Sequence, residues 1–256
     1  MPPVLLIIFG FTFIFFMTSF GASIIFLFKK PISPKFSSFI LGLASGIMLS
    51  ASVWSLLLPA LSLSQNLGAF KVLPATLGLT LGSFFVIALD KFIPTPNGAF
   101  YENKNKKFKK LFVAITLHNI PEVLSVGFVF GLASISPEST AMASALALAV
   151  GIGLQNAPEG LAISLAYKGI GGKRLKAFLL GTLSGAIEPI CAVAGFFLAS
   201  LLSIIQPWLL AFSAGAMIFV VTQELIPDSK NATHPHIGSL GFMAGFIIMM
   251  MLDVCL

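Results

Sequence analysis

Charge is what this sequence has least of. Only 9% of its 256 residues are Asp, Glu, Lys or Arg, while 57% are hydrophobic; a soluble domain carries about a quarter charged residues. That shortage excludes a large soluble core and predicts an integral membrane protein. Acidic side chains are scarcer than basic ones, nine against fifteen. In a soluble chain the resulting +6 charge would suggest nucleic acid. Here the lysines lie in short segments between apolar runs, where they report orientation instead, and no nucleic-acid partner is expected. There are two cysteines, Cys191 and Cys255, both in apolar runs without C-x-x-C spacing, so neither a disulfide framework nor a thiolate metal site is expected. No basic region and no small-residue cleavage site accompany the first apolar run, 4–28. It is longer than the roughly 7–15 residues of a signal sequence's apolar stretch, so it is read as a retained span. Period-two alternation is missing too, which argues against a β-barrel.

What is present is a series of apolar runs of membrane-crossing length, about 20 residues each. Eight transmembrane helices are predicted near 4–28, 38–62, 72–93, 111–133, 140–167, 176–205, 207–227 and 237–254. They form a single all-α transmembrane domain over 1–256. Prolines and glycines mark the cuts: Pro31 and Pro34, Pro94 to Gly98, Pro137, and Gly169 to Gly172. Lys29, Lys30 and Lys35 fall between the first and second spans. Lys91, at the end of the third span, and Lys104, Lys106, Lys107, Lys109 and Lys110 mark the connection between the third and fourth. Lys168, Lys173 and Arg174, with Lys176 at the very start of the sixth span, mark the connection between the fifth and sixth, and Lys230 that between the seventh and eighth. The alternate loops hold almost none, Lys71 excepted. The positive-inside rule puts the Lys-rich loops in the cytoplasm and both termini outside a cell (inner) membrane. Segment 94–110, polar and Lys-rich, reads as a mobile cytoplasmic loop.

Four carboxylates do not belong in such a chain: Glu122, Glu159, Glu188 and Glu224 lie within the apolar runs. Each ionised carboxylate at the bilayer centre costs about 3 kcal/mol on insertion scales, and no Lys or Arg inside a span neutralises them. Either they carry protons or a cation pairs with them. Their surroundings sharpen the choice. "HNIPEVL" begins at His118 and "QNAPEGL" at Gln155, thirty-seven residues later. His118 and Glu122 are four apart on one helix face, and Gln155 and Glu159 repeat that spacing. Asn119 and Asn156 precede Pro121 and Pro158 by two. Each proline removes a hydrogen bond to the carbonyl four residues back, and irregular backbone at membrane depth is tolerated where it lines a cavity. Two bent helices face to face would present imidazole, carboxamide and carboxylate groups to one point. Imidazole with carboxylates suits borderline divalent ions such as Zn²⁺, and amide oxygens widen the range towards harder ones.

The remaining polar positions carry competing readings. Glu188, in "SGAIEPICA", is a ligand from a third helix or a packing group held by Ser184. Glu224, in "TQELIPDS", is an exit-path ligand or a solvated interfacial carboxylate. Gly181 and Gly185 form a G-x-x-x-G whose ordinary meaning is helix packing. His234 and His236 in "THPHIGS" are read as surface residues.

The paired motifs resemble those of the ZIP (Zrt-/Irt-like protein) metal transporters. "GIMLSASVWSLLLPAL" (46–61), "SGAIEP" (184–189), "QELIPDS" (223–229) and "GFMAGFIIMMMLDV" (241–254) are similar to the bacterial GufA-like branch. The resemblance implies eight helices, with helices 1–3 and 6–8 as an inverted repeat around 4 and 5. It also implies a binuclear metal site. One metal would use His118, Glu122, Gln155 and Glu159; the other would use Asn119, Glu122, Asn156, Glu159 and Glu188, with Glu122 and Glu159 bridging. Three positions depart from the commonest family pattern: Gln155 stands for His, Val123 for the Gly after Pro-Glu, and Gln223 where His-Glu is frequent. Gln223 and Glu224 are the exit-path candidates. The expected activity is uptake of a divalent cation into the cytoplasm, Zn²⁺ first, with Cd²⁺, Fe²⁺, Mn²⁺ and Co²⁺ as further substrates. No catalytic cofactor is expected; the partners are the metal ion and the lipid bilayer, with a homodimer as candidate assembly. The alternatives are a proton- or sodium-coupled exchanger or channel for another cation, and an intramembrane metallohydrolase. The last is disfavoured because H-E-x-x-H needs two histidines and this motif offers one.

Overall fold

Prolines set the starts of the helices. Pro3, Pro34, Pro189 and Pro207 each occupy the first turn of a helix, where a missing N–H costs nothing and the fixed φ is already helical. Ser33 adds a cap, accepting from the Phe36 N–H at 3.3 Å. The computed structural model describes residues 2–28, 33–92, 104–135, 139–199, 204–230 and 234–255. Among these there is no strand.

We number the helices α1 (Pro3–Ser23), α2 (Pro34–Leu63), α3 (Leu73–Phe92), α4 (Lys104–Ile135), α5 (Ser139–Gly169), α6 (Arg174–Phe197), α7 (Gln206–Ser229) and α8 (Pro235–Cys255). Seven of them are long and apolar enough to cross a membrane; the apolar part of α3, Leu73–Ala88, is shorter. Large apolar side chains such as Phe16, Phe84, Leu183 and Met251 are exposed on the outer faces, a surface suited to lipid and not to water.

Three details differ from the sequence reading. The helix expected from 111 begins at Lys104, so 104–110 of the expected loop is helical; the segment from 93 to 103 lies outside the described residues. The helix expected over 176–205 is interrupted: its first half ends at Ser184, three turn residues follow, and its second half runs Glu188–Phe197. Finally, α2 and α7 each contain a π-turn, Ser52–Leu57 and Val221–Leu225. Both turns stand just before a proline, Pro59 and Pro227. The proline ring clashes with the carbonyl four residues back, at Ser55 and Gln223. A widened turn at that level absorbs the conflict without breaking the helix.

Packing is dominated by four helix pairs: α2 with α8, α1 with α5, α3 with α7, and α4 with α6. In each pair a glycine on either helix faces a backbone carbonyl of the other. Gly46 meets Phe242 and Gly245 meets Leu43; Gly21 meets Ala157 and Gly160 meets Thr18. Likewise Gly82 meets Phe212 and Gly215 meets Leu79, while Gly127 meets Ala192 and Gly195 meets Leu124. Any side chain there would overlap the partner's backbone. Small residues that let backbones touch are how helices associate in lipid, where burying apolar surface gives no net drive. The bundle places α4 and α5 side by side in its middle, braced by α1, α6 and α7.

Candidate metal centre

The prolines Pro121 and Pro158 lie inside α4 and α5 and leave the carbonyls of Leu117 and Leu154 without their helical donors. Next to Leu117, the Ser213 hydroxyl of α7 donates to the carbonyl of His118 at 3.3 Å. The motif side chains turn towards each other at this level. His118, Asn119, Glu122, Gln155, Asn156, Glu159 and Glu188 are all buried.

The two helices reach across rather than along themselves. His118 Nε2 of α4 lies 3.4 Å from Glu159 Oε2 of α5. The Gln155 amide of α5 donates to Glu122 Oε1 of α4. One donor atom from each of His118, Glu122 and Glu159 falls within 4.8 Å of the others. Glu122 Oε2, Gln155 Oε1, Asn119 Oδ1, Asn156 Oδ1 and Glu159 Oε1 have no hydrogen-bond partner. Buried oxygens in that condition are costly and rare. All five are acceptors, which a cation satisfies and a second acceptor does not.

Glu188 comes from the restarted half of α6. It stands in the first turn of that helix, where the positive end of the helix dipole favours a carboxylate. The Asn119 amide donates to its Oε1 at 3.0 Å, and the Thr18 hydroxyl of α1 lies 2.8 Å and 3.1 Å from Oε1 and Oε2. Ser184 donates instead to the Gly181 carbonyl at 2.7 Å, so it is not what holds Glu188. Among the described residues no Lys or Arg is paired with Glu122, Glu159 or Glu188.

Gln223 and Glu224 fall elsewhere. They sit on the π-turn of α7, Gln223 exposed and Glu224 half-buried, outside the buried cluster. His236 is exposed on the first turn of α8. Val123 is buried in an apolar cluster with Val126, Phe130 and Cys191.

Sequence reasoning missed three participants. Thr18 and Ser213 carry no signal of their own, because a hydroxyl in an apolar helix ordinarily bonds the carbonyl four residues back. Asp253 stands in the last turn of α8, where a carboxylate in an apolar helix ordinarily meets the interface. It accepts from the Ser55 hydroxyl at 2.6 Å, leaves Oδ2 without a hydrogen-bond partner, and lines a cavity of about 250 Å³ with Trp54, Ser144 and Gly151. A second cavity, about 210 Å³, lies at the other end of α5, between Ser37, Phe108, Gly169 and Asp228. Along α5 the cluster lies between them: Gly151 is one turn before Gln155, and Ala166, which lines the second cavity, is two turns beyond Glu159.

Comparison with known proteins places the chain in a family. A family model described as ZIP Zinc transporter matches residues 131–253. The zinc transporter ZIP11 of Xenopus tropicalis is 32% identical, over 98% of this chain and 97% of its own length. The zinc transporter GufA of Myxococcus xanthus is 34% identical, over 84% of this chain and 85% of its own. The zinc transporter ZIPB of Bordetella bronchiseptica is 34% identical, over 89% of this chain and 74% of its own. These relatives are named as transporters, not as enzymes. With this identity over nearly its whole length, the chain belongs to the ZIP zinc transporter family.

Proposed function

We propose that this protein carries divalent transition-metal cations, zinc foremost, through a membrane into the cytoplasm, using a two-metal site between α4 and α5. One observation carries the reading: two buried carboxylates and an imidazole converge, a third buried carboxylate, Glu188, is held beside them by Asn119, and among the described residues no buried Lys or Arg balances them. A cation is the partner that such a set accepts, and nitrogen with carboxylate oxygen at this spacing suits zinc. His118, Glu122, Gln155 and Glu159 form the first position. Asn119, Glu122, Asn156, Glu159 and Glu188 form the second, and the two shared carboxylates bridge.

The eight-helix inverted repeat is part of the same proposal. Exchanging α1, α2 and α3 with α6, α7 and α8, and α4 with α5, turns the α2/α8 pair into α7/α3 and the α1/α5 pair into α6/α4. The observed pairing supports that exchange, as does the π-turn before a proline that recurs in α2 and α7. Sites at the midplane between such repeats serve alternating access, one group of helices rocking against the other. The Lys-rich ends near it support a cytoplasmic side for the 210 Å³ cavity. The opposite cavity, with Asp253 on its wall, is then the outer mouth, and Asp253 receives the ion before Gln155.

Proteoliposome uptake of Zn²⁺, Cd²⁺, Mn²⁺, Fe²⁺, Co²⁺ and Mg²⁺ tests the reading. Saturable uptake led by Zn²⁺, abolished by Glu159→Ala in protein that still inserts, is the expected result. Undiminished uptake by that variant removes the site assignment. Proton or sodium movement with no metal uptake favours an exchanger for another cation instead.

A further inference from the structure

Glu188 is the carboxylate of the cluster that comes from outside the paired motifs, and the protein fixes it with unusual care. Its helix stops at Ser184 and restarts at Glu188 itself. The hydroxyl that reaches it belongs to Thr18, a completely buried residue on α1. A threonine inside a membrane helix has a ready acceptor in the carbonyl four residues back. That acceptor, Ile14 O, is 3.4 Å away, whereas the two oxygens of Glu188 are at 2.8 Å and 3.1 Å. The single hydroxyl proton is therefore given to the carboxylate across 170 residues of sequence, and α1 is tied to α6 at the level of the metal centre.

A second feature points the same way. Gly185 lies in the break of α6, and a Cβ there would stand 2.8 Å from Thr18 Cγ2 and 2.9 Å from Glu188 Oε1. The glycine leaves the room in which the hydroxyl and the carboxylate meet. With Thr18 and the Asn119 amide both on Oε1, the carboxylate plane is held from two helices, and Oε2 keeps lone-pair capacity for a cation.

We propose that Thr18 is a positioning residue of the metal centre: its hydroxyl, in the space left by Gly185, holds Glu188 in the orientation that completes the second metal position. This rests on the two-metal reading above. Thr18 touches no metal itself; it acts on the second position through Glu188 and leaves the first, built on His118 and Gln155, unchanged.

Calorimetric titration of the purified, detergent-solubilised protein with Zn²⁺ alone, with a thermal melt of each variant, tests this. Wild type is expected to bind two ions. Thr18→Val, the same shape without the hydroxyl, should leave the first affinity within about twofold and weaken the second about tenfold or more, the range seen when a ligand's supporting hydrogen bond is lost. Thr18→Ser, which restores the hydroxyl, should recover the second affinity. Gly185→Ala keeps the hydroxyl but crowds it, and should weaken the second position alone; it serves if Thr18→Val does not fold. Two ions bound by Thr18→Val with wild-type affinities overturn the role of Thr18, as does equal weakening by Val and Ser, which would mark a packing role. A single ion bound by wild type overturns the two-metal reading itself, and Thr18 with it.

Discussion

The motif turns of α4 and α5 read almost alike and are used differently. Both set an asparagine two residues before a proline and a glutamate just after it. In α4, His118 reaches Glu159 of the neighbour and Asn119 reaches Glu188 of α6. In α5, Gln155 reaches Glu122, while the Asn156 oxygen is left without a hydrogen bond. The residue after the glutamate differs most. Gly160 lies against the Thr18 carbonyl of α1, whereas Val123 is buried among apolar side chains. A repeated sequence thus meets two different neighbours. The glycine of the family pattern is a demand of the helix packed behind the motif, not of the metal in front of it.

The largest expected effect tests that conclusion. Gly160→Val would drive a side chain into a backbone that cannot move aside, and overpacking of this kind costs about 3 kcal/mol or more. We expect little folded protein by size-exclusion chromatography and a sharply lowered melting temperature. The mirror change, Val123→Gly, should cost about 1–3 kcal/mol for the lost packing and the helix glycine and still permit uptake. Equal tolerance of both would mean that α1 does not approach α5 as described.

Next come the ligands that break the symmetry. His118→Ala should weaken Zn²⁺ at the first position more than Gln155→Ala, because an imidazole nitrogen is a better donor to zinc than an amide oxygen. A tenfold or greater loss for the histidine against a few-fold loss for the glutamine is about what that difference supports. Gln155→His should tighten Zn²⁺ binding and slow its release, visible as a lower Kd with a lower maximal uptake rate. Unchanged affinity in both Gln155 variants would leave Gln155 as only a donor to Glu122.

How far these differences could be read from sequence follows from what each depends on. The cluster itself was legible, since carboxylates in apolar runs without basic partners are costly wherever the chain goes, and the i, i+4 spacing puts His118 and Glu122 on one helix face. The interruption of α6 left a trace in "SGAIEP": a glycine that ends one helix, then a Glu-Pro that starts another. An apolar run of that length nevertheless reads as continuous. The reversal at 104–110 has a similar cause, because Lys-rich composition suggested a loop while lysine is also a good helix former. The Thr18 and Ser213 contacts depend on which helices become neighbours, 170 and 95 residues apart in the chain, and no local pattern encodes that. The π-turns were hidden for a different reason: a proline announces strain, not how the helix relieves it.

The smallest expected effect concerns the brace on α4 that α5 has no counterpart for among the described hydrogen bonds. Ser213 donates to the His118 carbonyl three residues before Pro121, and one hydrogen bond of this kind contributes about 1 kcal/mol net. Ser213→Ala should therefore lower the melting temperature by only a few degrees and leave both metal affinities nearly unchanged, because the serine bonds the backbone of His118 and not its imidazole. A fall in first-position affinity comparable to that of His118→Ala would instead assign Ser213 to the placement of the imidazole. The α4 half of the centre would then depend on α7 as the Glu188 half depends on α1.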